Sequence, residues 1–477
     1  MLTEQFEYPA LMRFFEEISA IPRGSGNEDG VVAYLVEFAK ARGLEYYTDS
    51  AKNVLIRKAA GKGYENAAPI LLQGHTDMVC EKNEGVRHDF LKDPLDLYVE
   101  NGWLRARGTT LGADDGVAVA AMLAILDGDS EEHPKLECLF TSCEETGMDG
   151  AIGFDYSLLK SRMMINMDGC AEHVILAGCA GGARSEILLP ASAEANANPC
   201  LELRIGGLAG GHSGEDIHRG RANAIKLMGT LLQILLFDCG ELRIDSFHGG
   251  DKDNAIPREC RARICVADGE KVREVAKDWE EQIRASLCPE DGGFFLTVTE
   301  GEASAEVMSQ SATARLILLL TSLPNGVFAK VKGLDDMVSF SRNLGAVHAD
   351  STGASFIFLS RADSDAMLER SRRELAAYAS VFGGECRHFR GFMGWEYTAV
   401  SEIRRKYGEA YRTLFGKTLR VETIHAGLEC GFVKHKVPDM DIICVGATVL
   451  DLHSPDEALD LASFARFFKT LLLTLKS

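Results

Sequence analysis

Gly116–Leu126 reads GVAVAAMLAIL and has no charged or hydrogen-bonding side chain; two aspartates, Asp114 and Asp115, lead directly into it. A helix that is apolar all round has to be buried on every side. The run is far shorter than the ~20 residues a membrane span requires. The chain must therefore build layers around this helix, and short apolar runs are there to do it. Asn53–Ile56, Pro69–Leu72, Leu136–Phe140 and Met163–Met167 suit buried strands, while Leu11, Met12, Phe14, Phe15 and Ile18 recur at helical spacing. A further helix is expected over Asp29–Arg42, stopped by Gly43. Strands alternating with helices predict an α/β fold with a mostly parallel central sheet.

The pattern changes in the middle of the chain. One block, from Arg258, reads RECRARICVADGEKVREVAKDWEEQIRASL; another, from Ser355, reads SFIFLSRADSDAMLERSRRELAAYASVF. Each is an alternating strand, a turn with Asp and an amphipathic helix. Each is preceded by an earlier helix, about Ala222–Phe237 and Ala312–Ser322. The expected organisation is one domain made of residues 1–190 and 391–477, interrupted by an internally duplicated α+β insert over 191–390. Ala191–Cys200, small and polar, is the expected entry hinge.

Lys and Arg total 51 against 71 Asp and Glu, a formal net charge of −20. That excludes a phosphate-backbone binder and an anionic membrane surface as partners. The acidic amino terminus lacks the basic and apolar segments of a secretory signal. There are 13 cysteines, several inside apolar runs (Cys138, Cys265, Cys444), which predicts reduced core thiols in a cytoplasmic protein.

Five apolar runs end in residues able to hold metals. Ile70–Leu72 leads to His75 and Asp77, which share a side while the chain stays extended, so that the carboxylate can orient the imidazole. Gly112-Ala113-Asp114-Asp115-Gly116 brings two carboxylates to the start of the buried helix, more than a helix cap needs. Leu136–Phe140 leads to Glu144 and Glu145; both can serve one site only if the strand has ended near Cys143. Met163–Met167 leads to Asp168, and His453 lies beyond the Met440–Val445 strand. Taken singly, each has an ordinary alternative in a polar loop. Together they crowd like charges at one sheet edge, which is costly unless a cation is present. Mixed His and carboxylate donors suit Zn²⁺ or Mn²⁺ in a catalytic site, and two ions sharing a carboxylate neutralise the cluster best.

These motifs resemble the di-zinc exopeptidase family that includes carboxypeptidase G and the Xaa-His dipeptidases. The likeness is carried by IPRGSGNE at Ile21, GHTDMVCEK, TTLGADDG, TSCEETGMDGA, GGLAGGHSGEDIHRGRANA, DNAIPRE, SRNLG, HAGLECG and DLHSPDE. It implies a zinc-exopeptidase-like catalytic domain with a lid insert, and two divalent ions per chain, zinc first, with manganese or cobalt as alternatives. His75 and Asp168 then resemble ligands of one ion, Glu145 and His453 ligands of the other, and Asp114 the bridging carboxylate. Asp77 resembles the residue orienting His75, and Glu144 the general base. In the insert, His212 resembles a donor to the substrate carbonyl, and Asn254 and Arg342 resemble groups that fix the substrate carboxylate. Gly427 is expected to line the pocket. Asp115 departs from the Asn usual at that position. The implied activity is hydrolysis of short peptides, Xaa-His dipeptides preferred, by a metal-bridging hydroxide. The alternatives are a broad dipeptidase or an N-acyl amino acid deacylase, in a monomer or homodimer.

Overall fold

The computed structural model describes residues 6–128, 132–334, 337–389 and 391–477. Contacts group the chain into two compact units. The first comprises residues 1–178, 397–423 and 428–477; the second comprises 179–396 and 424–427. The sequence put the crossing after residue 190, but Gly181–Pro190 is a strand paired with Gly353–Ala362 of the second unit. Ala193–Ala195, inside the expected hinge, is also a strand, paired with Glu306–Met308. Arg390, the expected end of the insert, lies outside the described residues.

The first unit is built on an eight-stranded sheet. Its centre is four parallel strands in the order Leu136–Thr141, Ile70–His75, Met163–Asn166 and Asp441–Cys444. Val54–Lys58 and Glu45–Thr48 extend one side antiparallel. Parallel strands are buried on both faces, which is why these runs are apolar throughout rather than alternating. The Ala113–Asp127 helix packs against this sheet, and Gly116–Leu126 is wholly buried. Each fully buried Leu, Ile or Met there contributes about 1.5–3 kcal/mol from area removed from water. Gly74 makes the close approach possible: a Cβ at that position would stand 2.3 Å from Ala118 Cβ and 2.4 Å from Asp115 Oδ2.

The second unit is α+β and duplicated. Its sheet order reads Phe295–Glu300, Cys200–Gly206, Cys260–Val266, Leu242–Gly249, then Val338–Asp350, Gly353–Ala362, Gly181–Pro190, Glu385–His388. The second four repeat the first four in mirrored order, and each half contributes two helices: Ala224–Asp238 and Gly269–Arg284, then Gln310–Ser322 and Asp365–Val381. All four helices contribute side chains to one apolar cluster on the sheet.

The thiol expectation needs correcting. Cys138 and Cys444 are buried thiols, but Cys265 forms a disulfide with Cys200, its register partner on the neighbouring strand. Adjacent antiparallel strands bring residues 65 apart in sequence side by side, which no local sequence pattern reveals. Among the described residues no helix is long and apolar enough to cross a membrane.

Candidate metal centre

The parallel strands end at one edge, and the chemistry-bearing residues sit just beyond those ends. His75 closes its strand, buried at 1% exposure. Its Nε2 lies 2.9 Å from Asp114 Oδ1 and 3.8 Å from Asp168 Oδ1; its Nδ1 lies 3.4 Å from Asp77 Oδ1. The other Asp114 oxygen, Oδ2, lies 3.2 Å from His453 Nε2, and that nitrogen is also 3.2 Å from Glu145 Oε2. One carboxylate therefore faces both histidines, one oxygen to each. The ligand atoms of His75, Asp114 and Asp168 lie within 4.8 Å of one another, as do those of Asp114, Glu145 and His453.

Local backbone explains the convergence. The Leu136–Thr141 strand ends early, and Cys143, at φ +50°, turns the chain into a single helical turn at Glu144–Gly147. That turn lets adjacent glutamates share one site. Asp77 serves them both: it accepts hydrogen bonds from the Glu144 amide (3.0 Å), the Glu145 amide (3.3 Å) and Ser25 Oγ (2.7 Å). His453 is itself left-handed at φ +60°, as is Asp451 at +52°; non-glycine residues held this way cluster at functional sites.

Asp115 points elsewhere. Its oxygens accept from the His75 amide (3.2 Å) and the Ala118 amide (3.3 Å), so it braces the strand end rather than joining the ligand row. A buried polar web lies under the same strand ends. Asn166 Nδ2 donates to Gln73 Oε1 (2.6 Å), and Gln73 Nε2 and Thr141 Oγ1 donate to Glu429 Oε2 (2.5 and 2.6 Å). It ties together the strands that lead to His75, Glu144 and Asp168.

The electrostatics are those of a cation site. Burial pushes the Glu144 carboxyl up to about 8, with Glu429, Glu145 and Asp114 adding to the effect against His75. Burial and the Asp114 charge push Asp168 well up. Hydrogen bonds to Asp114 and Glu145 raise His453 to about 10. Burial would raise Asp77, but its bonds with His75, Ser25 and the Glu144 amide bring it down to about 2. Among the described residues, no lysine or arginine comes within ion-pair distance of Asp114, Glu144, Glu145 or Asp168. Glu145 Oε1 is buried and has no hydrogen-bond partner. Four carboxylates, one of them with an orphaned oxygen, and two imidazoles make a donor set suited to divalent ions.

The lid residues named from sequence all belong to the second unit, and they divide between two places. His212 pairs with Ala255 in a short ladder, and the Ser213 amide donates to Asn254 O (2.8 Å), so His212 and Asn254 are neighbours. His425, two residues before Gly427, meets Ser341 Oγ (2.7 Å), and its carbonyl crowds Gly214. Arg342 is not among them. It is fully buried on the opposite sheet face, donating to Ser371 Oγ (2.7 Å) and Glu374 Oε2 (2.9 Å) of the Asp365–Val381 helix. The arginine beside His212 is Arg361, which sequence reasoning missed: its Nη2 lies 3.2 Å from His212 Nε2. The Glu215 amide donates to His212 Nδ1 (3.3 Å), and the Arg361 guanidinium, which can only donate, faces Nε2, so a donor stands against each ring nitrogen. Burial and the Arg361 charge lower the His212 pKa, against Glu215 and Asp216. Arg361 is 5% exposed, makes no ion pair among the described residues, and is lowered to about 10 by burial. Arg361 and His212 thus stand side by side, and among the described residues no carboxylate forms an ion pair with the guanidinium.

Residues 71–477 match the description of peptidase family M20/M25/M40. The chain is 36% identical over 473 residues to the cytosol non-specific dipeptidase of Escherichia coli K12, covering 98% of this chain and 97% of that protein. The structure of an aminoacylhistidine dipeptidase from Vibrio alginolyticus superposes with a TM-score of 0.94 at 33% identity, covering 99% and 97% of the two chains. A tripeptidase from Staphylococcus aureus shares the fold, with a TM-score of 0.56 at 15% identity over 99% and 98% of the two chains. The chain belongs to peptidase family M20/M25/M40. It is a hydrolase of peptide bonds, built as a zinc-exopeptidase-like α/β domain carrying a lid.

Proposed function

We propose that the chain is a cytoplasmic metallodipeptidase that prefers Xaa-His dipeptides, with Glu144 as its general base. The observation that carries this is Asp114, whose two oxygens face two histidines, each completed by a further carboxylate. His75, Asp114 and Asp168 would hold one divalent ion, and Asp114, Glu145 and His453 the other. Zinc suits this donor set, as do manganese and cobalt. Ions bound there supply positive charge that acidifies water and polarises a carbonyl. Asp77, whose Oδ1 lies 3.4 Å from His75 Nδ1, would hold the ring in the tautomer that leaves Nε2 free for an ion. Glu144 takes a proton from the attacking water. As the C–N bond breaks, it passes that proton to the leaving amine, so water and dipeptide give two amino acids.

For the second unit, His212 is proposed as a donor to a substrate oxygen that gains charge, and Arg361 replaces Arg342 as the group for the substrate carboxylate. A guanidinium without a carboxylate partner matches that ligand in shape and charge. Asn254 and Gly427 remain proposed lining residues. The Escherichia coli and Vibrio alginolyticus relatives are both dipeptidases by name, and their names differ in breadth, which bears on histidine preference. Relative kcat/KM for β-Ala-His, Gly-Leu and an N-acetyl amino acid tests the reading. A preference for β-Ala-His supports it; equal rates for the two dipeptides point to the broad dipeptidase, and faster deacylation overturns the dipeptidase assignment.

A further inference from the structure

Glu457 lies four residues beyond His453, at the end of DLHSPDE, and is 2% exposed. Its carboxylate accepts four consecutive backbone N–H groups: Leu111 (2.7 Å) and Gly112 (2.9 Å) on Oε2, Ala113 (2.8 Å) and Asp114 (3.3 Å) on Oε1. These amides belong to the turn that leads into the Ala113–Asp127 helix; Asp114 and Asp115 are themselves non-helical, at ψ 109° and 44°. The Gly112 peptide is gripped from its other end as well. Arg23, also 2% exposed, donates through Nη2 to Gly112 O (2.5 Å) and through Nη1 to Thr76 O (3.0 Å) and Asp77 O (3.1 Å). Gly112 sits at φ +65°, and a Cβ there would stand 2.6 Å from Arg23 Nη2. The loop carrying Asp114 is thereby bonded both to the loop carrying His453 and to the strand end carrying His75.

We infer that Glu457, seconded by Arg23, is a positioning residue: through the four amides it fixes the Asp114 carboxylate between His75 and His453, and so sets the geometry of both ion positions. It touches neither ion nor substrate. This rests on the dipeptidase reading only in identifying Asp114 as the shared ligand. A carboxylate is required because it alone offers two acceptor oxygens with no donor to oppose the N–H groups. A Gln in its place would turn an NH₂ toward two of them.

The test uses the full-length chain and two readouts independent of turnover. Amide hydrogen exchange on wild type should show Leu111–Asp114 slowed by about 100-fold or more relative to exposed loop amides. Glu457→Gln should release that protection and weaken binding of zinc, measured by competition with a chelator, by about 10–100-fold, as loss of a ligand's support does. Glu457→Asp, which keeps the charge but shortens the reach, should fall between; it also serves if the Gln variant does not fold. Loop-like exchange of the four amides in wild type, or zinc affinity of wild-type strength in both variants, overturns the inference. Failure of wild type to cleave any dipeptide would instead overturn the dipeptidase reading and leave the clamp standing.

Discussion

Glu144→Gln isolates the proposed base. The substitution preserves shape, and the Glu144 amide stays tied to Asp77 at 3.0 Å, so the turn has no reason to move. What is lost is the ability to accept a proton. Positioned general-base catalysis contributes about 10²–10⁴-fold. At 1.36 kcal/mol per decade this is a barrier increase of about 3–5 kcal/mol. KM should stay within about threefold, since the interaction removed belongs to the transition state. The geometry also contains a rival role, because His75, Glu144 and Glu145 offer ligand atoms within 4.8 Å of one another. Steady-state hydrolysis of β-Ala-His and elemental analysis on one preparation separate the two. The expected result is a collapsed kcat with the full complement of metal retained. Ordinary turnover refutes the base assignment; loss of a metal equivalent makes Glu144 a ligand.

His453→Ala should cost one metal equivalent, because His453 is the imidazole of only one of the two sets; two equivalents retained after dialysis would remove it from the ligands. Arg361→Met should raise KM for a dipeptide by about 10-fold or more while barely affecting the corresponding dipeptide amide, which has no carboxylate to lose; equal effects on both would contradict the carboxylate role. Arg342→Met should leave KM unchanged and lower stability by about 2 kcal/mol, since its bonds to Ser371 and Glu374 are internal to the fold. Thermal or urea unfolding checks it, and a raised KM with unchanged stability would reverse the assignment of the two arginines.

The contrast between those arginines shows what the sequence could and could not reveal. Both stand in a Ser-Arg pair on adjacent strands, and the register opposes Ser341 to Arg361 and Arg342 to Ser360. With a side-chain period of 2, the two arginines must face opposite ways. Which face is covered by helices is a tertiary fact, so the choice between them was not legible locally. The metal-centre residues were easier, because several apolar runs each end in His, Asp or Glu, and although any one could be a polar loop, so many together call for a cation. Asp114 and Asp115 were indistinguishable by type; only the backbone path sends one to the histidines and the other to the amides of His75 and Ala118. Glu457 was in view within DLHSPDE, but its partners lie more than 340 residues away in the chain. The Cys200–Cys265 disulfide was hidden for the same reason: register across neighbouring strands is long-range information.

The most direct test is a metal titration of chelator-stripped protein, following bound equivalents by elemental analysis and hydrolysis of β-Ala-His in parallel. Paired ions sharing Asp114 require saturation at two equivalents per chain, with hydrolysis absent from the stripped protein and restored as the ions return. Full hydrolysis by protein that retains no metal, or saturation with no ion held by the Asp114 cluster, would contradict the central claim.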